Sequence, residues 1–449
     1  MHNSEFSILL MGFVTVVNVM VTGSFYKRIG ASLKFTSPDP LTCLFYLQLI
    51  FSVIGSYLVV LNIDNTDWLS YLDPKSSDRL VGWIFVQYSF FALSVTMAVA
   101  WPLFNNQKLL NRMRNTHFSS APLGWRARGG IVGLLLITSI AGFYTFWTMG
   151  YIPLLKIFES TGTALAVYRS ETKFEFQGLS FIRDLFFKGL SQIAALYVFS
   201  VYISYKKGIF VKLSLLTSII LVFLSTTSNL EKAGFLFFII SMFSLYAFKG
   251  QKISGFGIFA GAMFLFVLLV IAYIATFGDH VHTAYLVSEI SGRIFIAQVA
   301  GVFMTISAFP DKIPFVGLDG IGVLANMFGF VQSEGAPRLV MSYFWPKEVD
   351  LGILGFMSSY FPAEAYGNFG LPGVLVAPVI VGVVTAAYFA IFVRLRNPHI
   401  GTACIVYIIF NLPFTSNFSY FYYSPGLLLL VVFVVMFDRL IFESAKRIR

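Results

Sequence analysis

The sequence predicts an all-α fold, a polytopic bundle of transmembrane helices forming one integral membrane domain over residues 1–449. Three observations carry that reading. Hydrophobic residues make up 57% of the chain and charged residues only 12%, and mean hydropathy is +0.79. Apolar runs of bilayer length repeat with little between them. The remaining charges fall unevenly among the connecting loops. Backbone groups in lipid have no water to pair with, so runs this long and continuous satisfy themselves as helices rather than as barrel strands.

In order, apolar spans are expected near 5–25, 40–62, 81–104, 130–150, 190–205, 209–228, 233–248, 254–277, 371–393, 400–415 and 423–441, about 11 within a range of 10–13. The first reads as a retained span rather than a cleaved signal peptide. The loops 26–38, 105–129, 206–212, 249–253 and 394–399 and the C-terminal end fall on one side. They hold 19 of the 31 Lys and Arg but 3 of the 21 acids, counting Asp39, Asp438 and Glu443 at the edges, which gives +16 there and −6 on the other face. Positive loops stay in the cytoplasm, so the +16 face is inside, with the N-terminus outside and Lys446, Arg447 and Arg449 inside. The pI of 9.4 is therefore a topology signal. It indicates no nucleic-acid partner. The loop 105–129, with Lys108, Arg112, Arg114, Arg126 and Arg128 and no acid, suits anchoring to anionic inner-leaflet lipids.

Two outer segments interrupt the pattern, at 151–189 and 278–370. The second carries four basic and eight acidic residues and ends in Glu364-Ala-Tyr-Gly-Asn-Phe-Gly370. Within it, the apolar run from Arg293 to Ala308 is about sixteen residues long, suited to a short interfacial or re-entrant helix. Pro310 to Pro337 is dense in Gly and Pro and reads as loop. A chain that is mostly lipid-embedded yet keeps one such segment wet is expected to work there.

Several chemistries lack their residues. There is no Gly-x-x-x-x-Gly-Lys phosphate loop, no zinc spacing of His and Cys, and no Gly-x-Ser-x-Gly elbow. His280 and His282 read as solvated, and Glu348 with Asp350 as a weak cation pair. Cys43 and Cys404 lie in apolar runs as small core residues. No metal or cofactor is expected. None of the eleven spans carries an ionisable residue near its centre, which counts against an ion-coupled transporter.

What remains is a set of outward-facing cations: Arg169, Lys232, Arg293 and Arg338. Singly each reads as a snorkelling or solvated side chain. Together at one interface they suit a lipid-linked pyrophosphate, whose oxygens guanidinium groups bind bidentately. Glu364 stands between Phe361 and Tyr366, where partial burial would raise its pKa toward that of a useful general base. Its other reading is a carboxylate that caps or salt-bridges the following helix, and Gly370 with Pro372 argues for a structured turn there. Tyr343, Phe344, Trp345, Tyr360 and Phe361 offer aromatic surface for sugar stacking or for an interfacial belt.

On these residues the chain resembles the Wzy-type O-antigen polymerases, which join oligosaccharide repeat units. The likeness lies in the layout of many spans with two main periplasmic segments, the second larger. It lies also in Gly150-Tyr-Ile-Pro-Leu-Leu155 with Arg169 and Gly178, in Ser291-Gly-Arg293, and in the Glu364–Gly370 segment. The resemblance implies a glycosyltransferase at the periplasmic face of the bacterial inner membrane. A growing glycan on undecaprenyl pyrophosphate is the donor and a lipid-linked repeat unit the acceptor, with a chain-length-regulating co-polymerase as partner. Glu364 and Arg293 would be catalytic; Arg169, Lys232, Arg338, Tyr366 and Asn368 would bind substrate. Related ligases place a functional His in the second segment, whereas only His280 and His282 stand here, early in it, so Glu364 takes the base role. An O-antigen ligase and a lipid-linked oligosaccharide flippase are the rival readings.

Overall fold

A computed structural model describes residues 2–63, 69, 72, 77–104, 106, 110–111, 123–159, 168, 172, 176–205, 208–229, 232–251, 253–277, 288–320, 334–350, 356–357 and 360–442. Among the described residues the regular structure is helical throughout, without strands. The main elements are α1 (His2–Arg28), α2 (Pro40–Val60), α3 (Ser77–Leu103), α4 (Trp125–Met149), α5 (Ile182–Tyr205), α6 (Ile209–Thr227), α7 (Lys232–Phe248), α8 (Gly255–Phe277), α9 (Ser288–Ala308), α10 (Ala336–Phe344), α11 (Phe361–Val393), α12 (Pro398–Asn411) and α13 (Pro425–Phe442). Among the described residues nine helices are long and apolar enough to cross a membrane, and three shorter apolar helices accompany them.

The ends of these helices follow local chemistry. The α2 start is set by Asp39, whose carboxylate accepts from Thr42 N at 2.8 Å and Ser32 N at 2.6 Å, with Pro40 in the first turn. Gly150 closes α4 in the left-handed conformation, φ 74°. Asn397 caps α12 through His399 N, and buried Asp438 of α13 accepts from Arg396 N and Asn397 N. Such buried caps matter because orphan helix-end groups in an apolar setting are costly.

Two elements differ from the sequence expectation. The span expected from 190 begins at Ile182, so Arg183, Asp184 and Lys188 of the first outer segment stand in the opening turns of a 24-residue helix. Arg183 is buried there, bonded to Asp184 at 2.9 and 3.0 Å and to Thr172 O. The expected sixteen-residue run is part of α9, 21 residues long, because Ser288 to Gly292 continue the helix; it has the length to cross as well as to lie at an interface.

At the centre of the bundle α11 lies along α3. Tyr88 Oη donates to Leu375 O at 2.9 Å, and Asn106 Nδ2 donates to Ala386 O at 2.9 Å. Arg394 donates to Phe104 O at 2.7 Å, so from Leu375 onward the two helices run parallel. Upstream of Leu375 the helix breaks. Gly370 has φ 64° and ψ −150°, a conformation open to glycine alone. In a straight helix residues 365 and 373 would stand about 12 Å apart along the axis. Here a Cβ on Gly373 would lie 2.1 Å from the Ala365 carbonyl oxygen. The chain therefore folds sharply at Gly370, and residues 361–369 form a half-helix within the bundle.

Candidate functional site

The half-helix begins deep in the protein. Tyr360 and Phe361 are both 0% exposed. Tyr360 Oη accepts a hydrogen bond from Gln48 Nε2, and Gln48 lies near the middle of α2. Phe45, one turn before Gln48, packs against Phe90 near the middle of α3, with ring centroids 5.7 Å apart. The foot of the half-helix thus sits near the mid-length of α2 and α3.

Tyr360, Glu364 and Asn368 are spaced by four and share one helix face. All three are buried. The Glu364 Oε2 accepts from Ser419 N at 2.7 Å, so the carboxylate caps the short helix Ser419–Tyr422. Tyr422 stands in its electrostatic reach, with its own hydroxyl buried and unpartnered. Asn368 has neither its Nδ2 nor its Oδ1 paired. Its Oδ1 lies 3.0 Å from where a Cβ on Gly320 would stand, so the carboxamide occupies space that glycine leaves. Tyr366 sits between these positions and turns elsewhere. Its ring meets Phe85 at 5.3 Å and Phe315 edge-on at 5.5 Å, and its hydroxyl donates to Phe309 O at 3.4 Å. Phe315 stacks on Phe309 with planes 11° apart and is 41% exposed. Val316 N donates to Gly367 O at 3.1 Å and ties this aromatic loop to the half-helix.

Three of the seven residues singled out from sequence therefore share one nine-residue segment. Of the four cations, the structure describes the side chains of Arg293 and Arg338. Arg293 pairs with Glu289 at 3.6 Å on α9. Its turn, Gly292–Ile296, packs on the Leu49–Ile54 turn of α2 directly after Gln48, so Arg293 and the half-helix adjoin the same stretch of α2. Arg338 pairs with Glu334 at 4.0 Å and opens α10, which packs on both α9 and α11. Arg169 lies outside the described residues, as do His280 and His282 and the Lys232 side chain. Among the described residues no group of three His, Cys, Asp or Glu forms a metal site.

Sequence reading missed Gln48 and Tyr360 as partners, buried Arg183, and Lys312, whose ammonium lies over Tyr343 at 5.5 Å and Phe344 at 5.8 Å. A lone Gln inside an apolar run was the available signal for Gln48. Lys249 was missed also: it is buried at the end of α7, and burial pushes its amine down to about 8. Comparison with known protein families, with curated proteins and with solved structures finds no match to this chain.

Proposed function

We propose that this chain polymerises lipid-linked oligosaccharide repeat units at the periplasmic face of the bacterial inner membrane. The acceptor sugar hydroxyl attacks the anomeric carbon of the donor glycan. The glycosidic C–O bond forms as the bond to undecaprenyl pyrophosphate breaks, and the proton of the hydroxyl passes to Glu364. The observation that supports this reading is the half-helix itself. It sets a buried carboxylate and an unpartnered carboxamide one turn apart on one face, with Tyr366 and exposed Phe315 at another face of the same segment. Sugars need that combination: hydrogen-bonding groups for hydroxyls and aromatic plates for the apolar faces of the rings. A positioned base of this kind contributes roughly 10²- to 10⁴-fold. Arg293 and Arg338, with Arg169 and Lys232, would hold the pyrophosphate, and a chain-length-regulating co-polymerase would be the partner.

One feature favours the flippase instead. A discontinuous helix ending at mid-depth is how transporters expose backbone groups to a substrate within the bilayer. The test is glycan laddering in a polymerase-deleted host that makes the matching repeat unit, with membrane levels checked. Wild type should restore the ladder, and Arg293→Ala and Glu364→Ala should stop at core plus one repeat. If the deletion leaves no surface repeat at all, ligase or flippase replaces the polymerase. Normal ladders from both variants would reject these site roles.

A further inference from the structure

The foot of the half-helix gathers more polar atoms than the protein pairs. Around Tyr360, the Gln48 side chain donates from Nε2 while its Oε1 has no partner. Ser52 Oγ, four residues further along α2, is buried and unpartnered, as is the hydroxyl of Tyr26. Tyr26 lies in the last turn of α1, against Phe45 and within electrostatic reach of Tyr360. All four side chains are at most 1% exposed. Two unpartnered groups beside the first turn of one helix, with a third one turn along α2 from Gln48, in a bundle that faces lipid, are too costly to stand without ligands. The groups are neutral, mix donors with acceptors, and lie among side chains from three separate helices. A charged ligand would find no counter-charge in this set, whereas water needs only two to four such partners.

We propose that Tyr26, Gln48, Ser52 and Tyr360 enclose a hydrated chamber between the end of α1, α2 and the foot of the half-helix, occupied by bound water that holds that foot. The chamber is a second polar site, one turn from Glu364 and independent of any glycan chemistry.

X-ray hydroxyl-radical footprinting of the full chain in lipid nanodiscs tests this, because radicals made from bound water oxidise the side chains beside it. Tyr197 is the internal control: it is equally buried, and its hydroxyl accepts from Asn397 Nδ2 at 3.3 Å. Tyr26 and Tyr360 should be oxidised several-fold faster than Tyr197. Ser52→Ala and Gln48→Leu, each at unchanged thermal stability, should bring both rates down toward the control. Ser52→Ala alone decides the matter if Gln48→Leu fails to fold. Oxidation of Tyr26 and Tyr360 at the Tyr197 rate in wild type overturns the proposal. So does fast oxidation that Ser52→Ala leaves unchanged. Because no substrate is added, the result stands apart from the laddering experiment.

Discussion

The sequence left two roles open for Glu364, base and cap; the structure shows the capping bond, and substitution separates it from the proposed base role. Its carboxylate accepts from Ser419 N at 2.7 Å, a capping bond that a carboxamide oxygen can also accept. Glu364→Gln should therefore leave the melting temperature close to wild type, while Glu364→Ala, which removes the cap, should cost about 0.5–2 kcal/mol. Glu364→Gln nonetheless removes the proposed base and should abolish laddering. A Glu364→Gln variant that ladders normally would reduce Glu364 to a cap. Asn368 argues the reverse way. Its buried amide has no partner, so Asn368→Leu should stabilise the fold by about 1–3 kcal/mol, judged from the cost of an unpaired buried group. If laddering is lost as stability rises, the amide serves substrate rather than structure.

At the scale of elements, the half-helix decides how the site is held, and only part of it could be read in advance. The spacing of Glu364, Tyr366 and Asn368 is local, and Gly370 followed by Pro372 marks a turn in the sequence itself. The depth of the turn is not local: it depends on a bond between Gln48 and Tyr360, 312 residues apart. The starts of α5 and α9 were hidden for another reason. Arg183, Asp184 and Arg293 break the hydropathy of the run but pair with neighbours one residue or one turn away, so the helix continues through them. The fold at Gly370 has a direct test. Its φ of 64° with ψ −150° penalises any side chain, and an added Cβ would stand 3.1 Å from the Phe315 ring. Gly370→Ala should destabilise by about 1–3 kcal/mol, read as a drop in melting temperature in detergent. An unchanged melting temperature would mean that the segment relaxes to a continuous helix.

For the whole molecule, the helical bundle was legible because the bilayer leaves the chain so few choices. Long apolar runs must be helices there; where about eleven spans were expected, nine helices long and apolar enough to cross are found among the described residues, with three shorter apolar ones. Boundaries were less legible, since 398–411 is shorter than a bilayer-length run while 288–308 is longer than its apolar core suggests. Orientation rests on charge alone: +16 on one face and −6 on the other, a bias large enough to set topology. It can be measured, because the chain has only two cysteines, one buried and one partly buried. With Cys43 and Cys404 replaced by Ala, single cysteines at Lys34→Cys and Asp311→Cys, both exposed positions, report the two faces. A membrane-impermeant maleimide should label Asp311→Cys in cells whose outer membrane alone is opened, and Lys34→Cys only after the inner membrane is disrupted. That pattern would put the loop carrying Phe315, and the half-helix tied to it, on the side where lipid-linked glycans await polymerisation. The inverted pattern would place the same loop in the cytoplasm, where the proposed donor is absent, and the polymerase reading would fall with it.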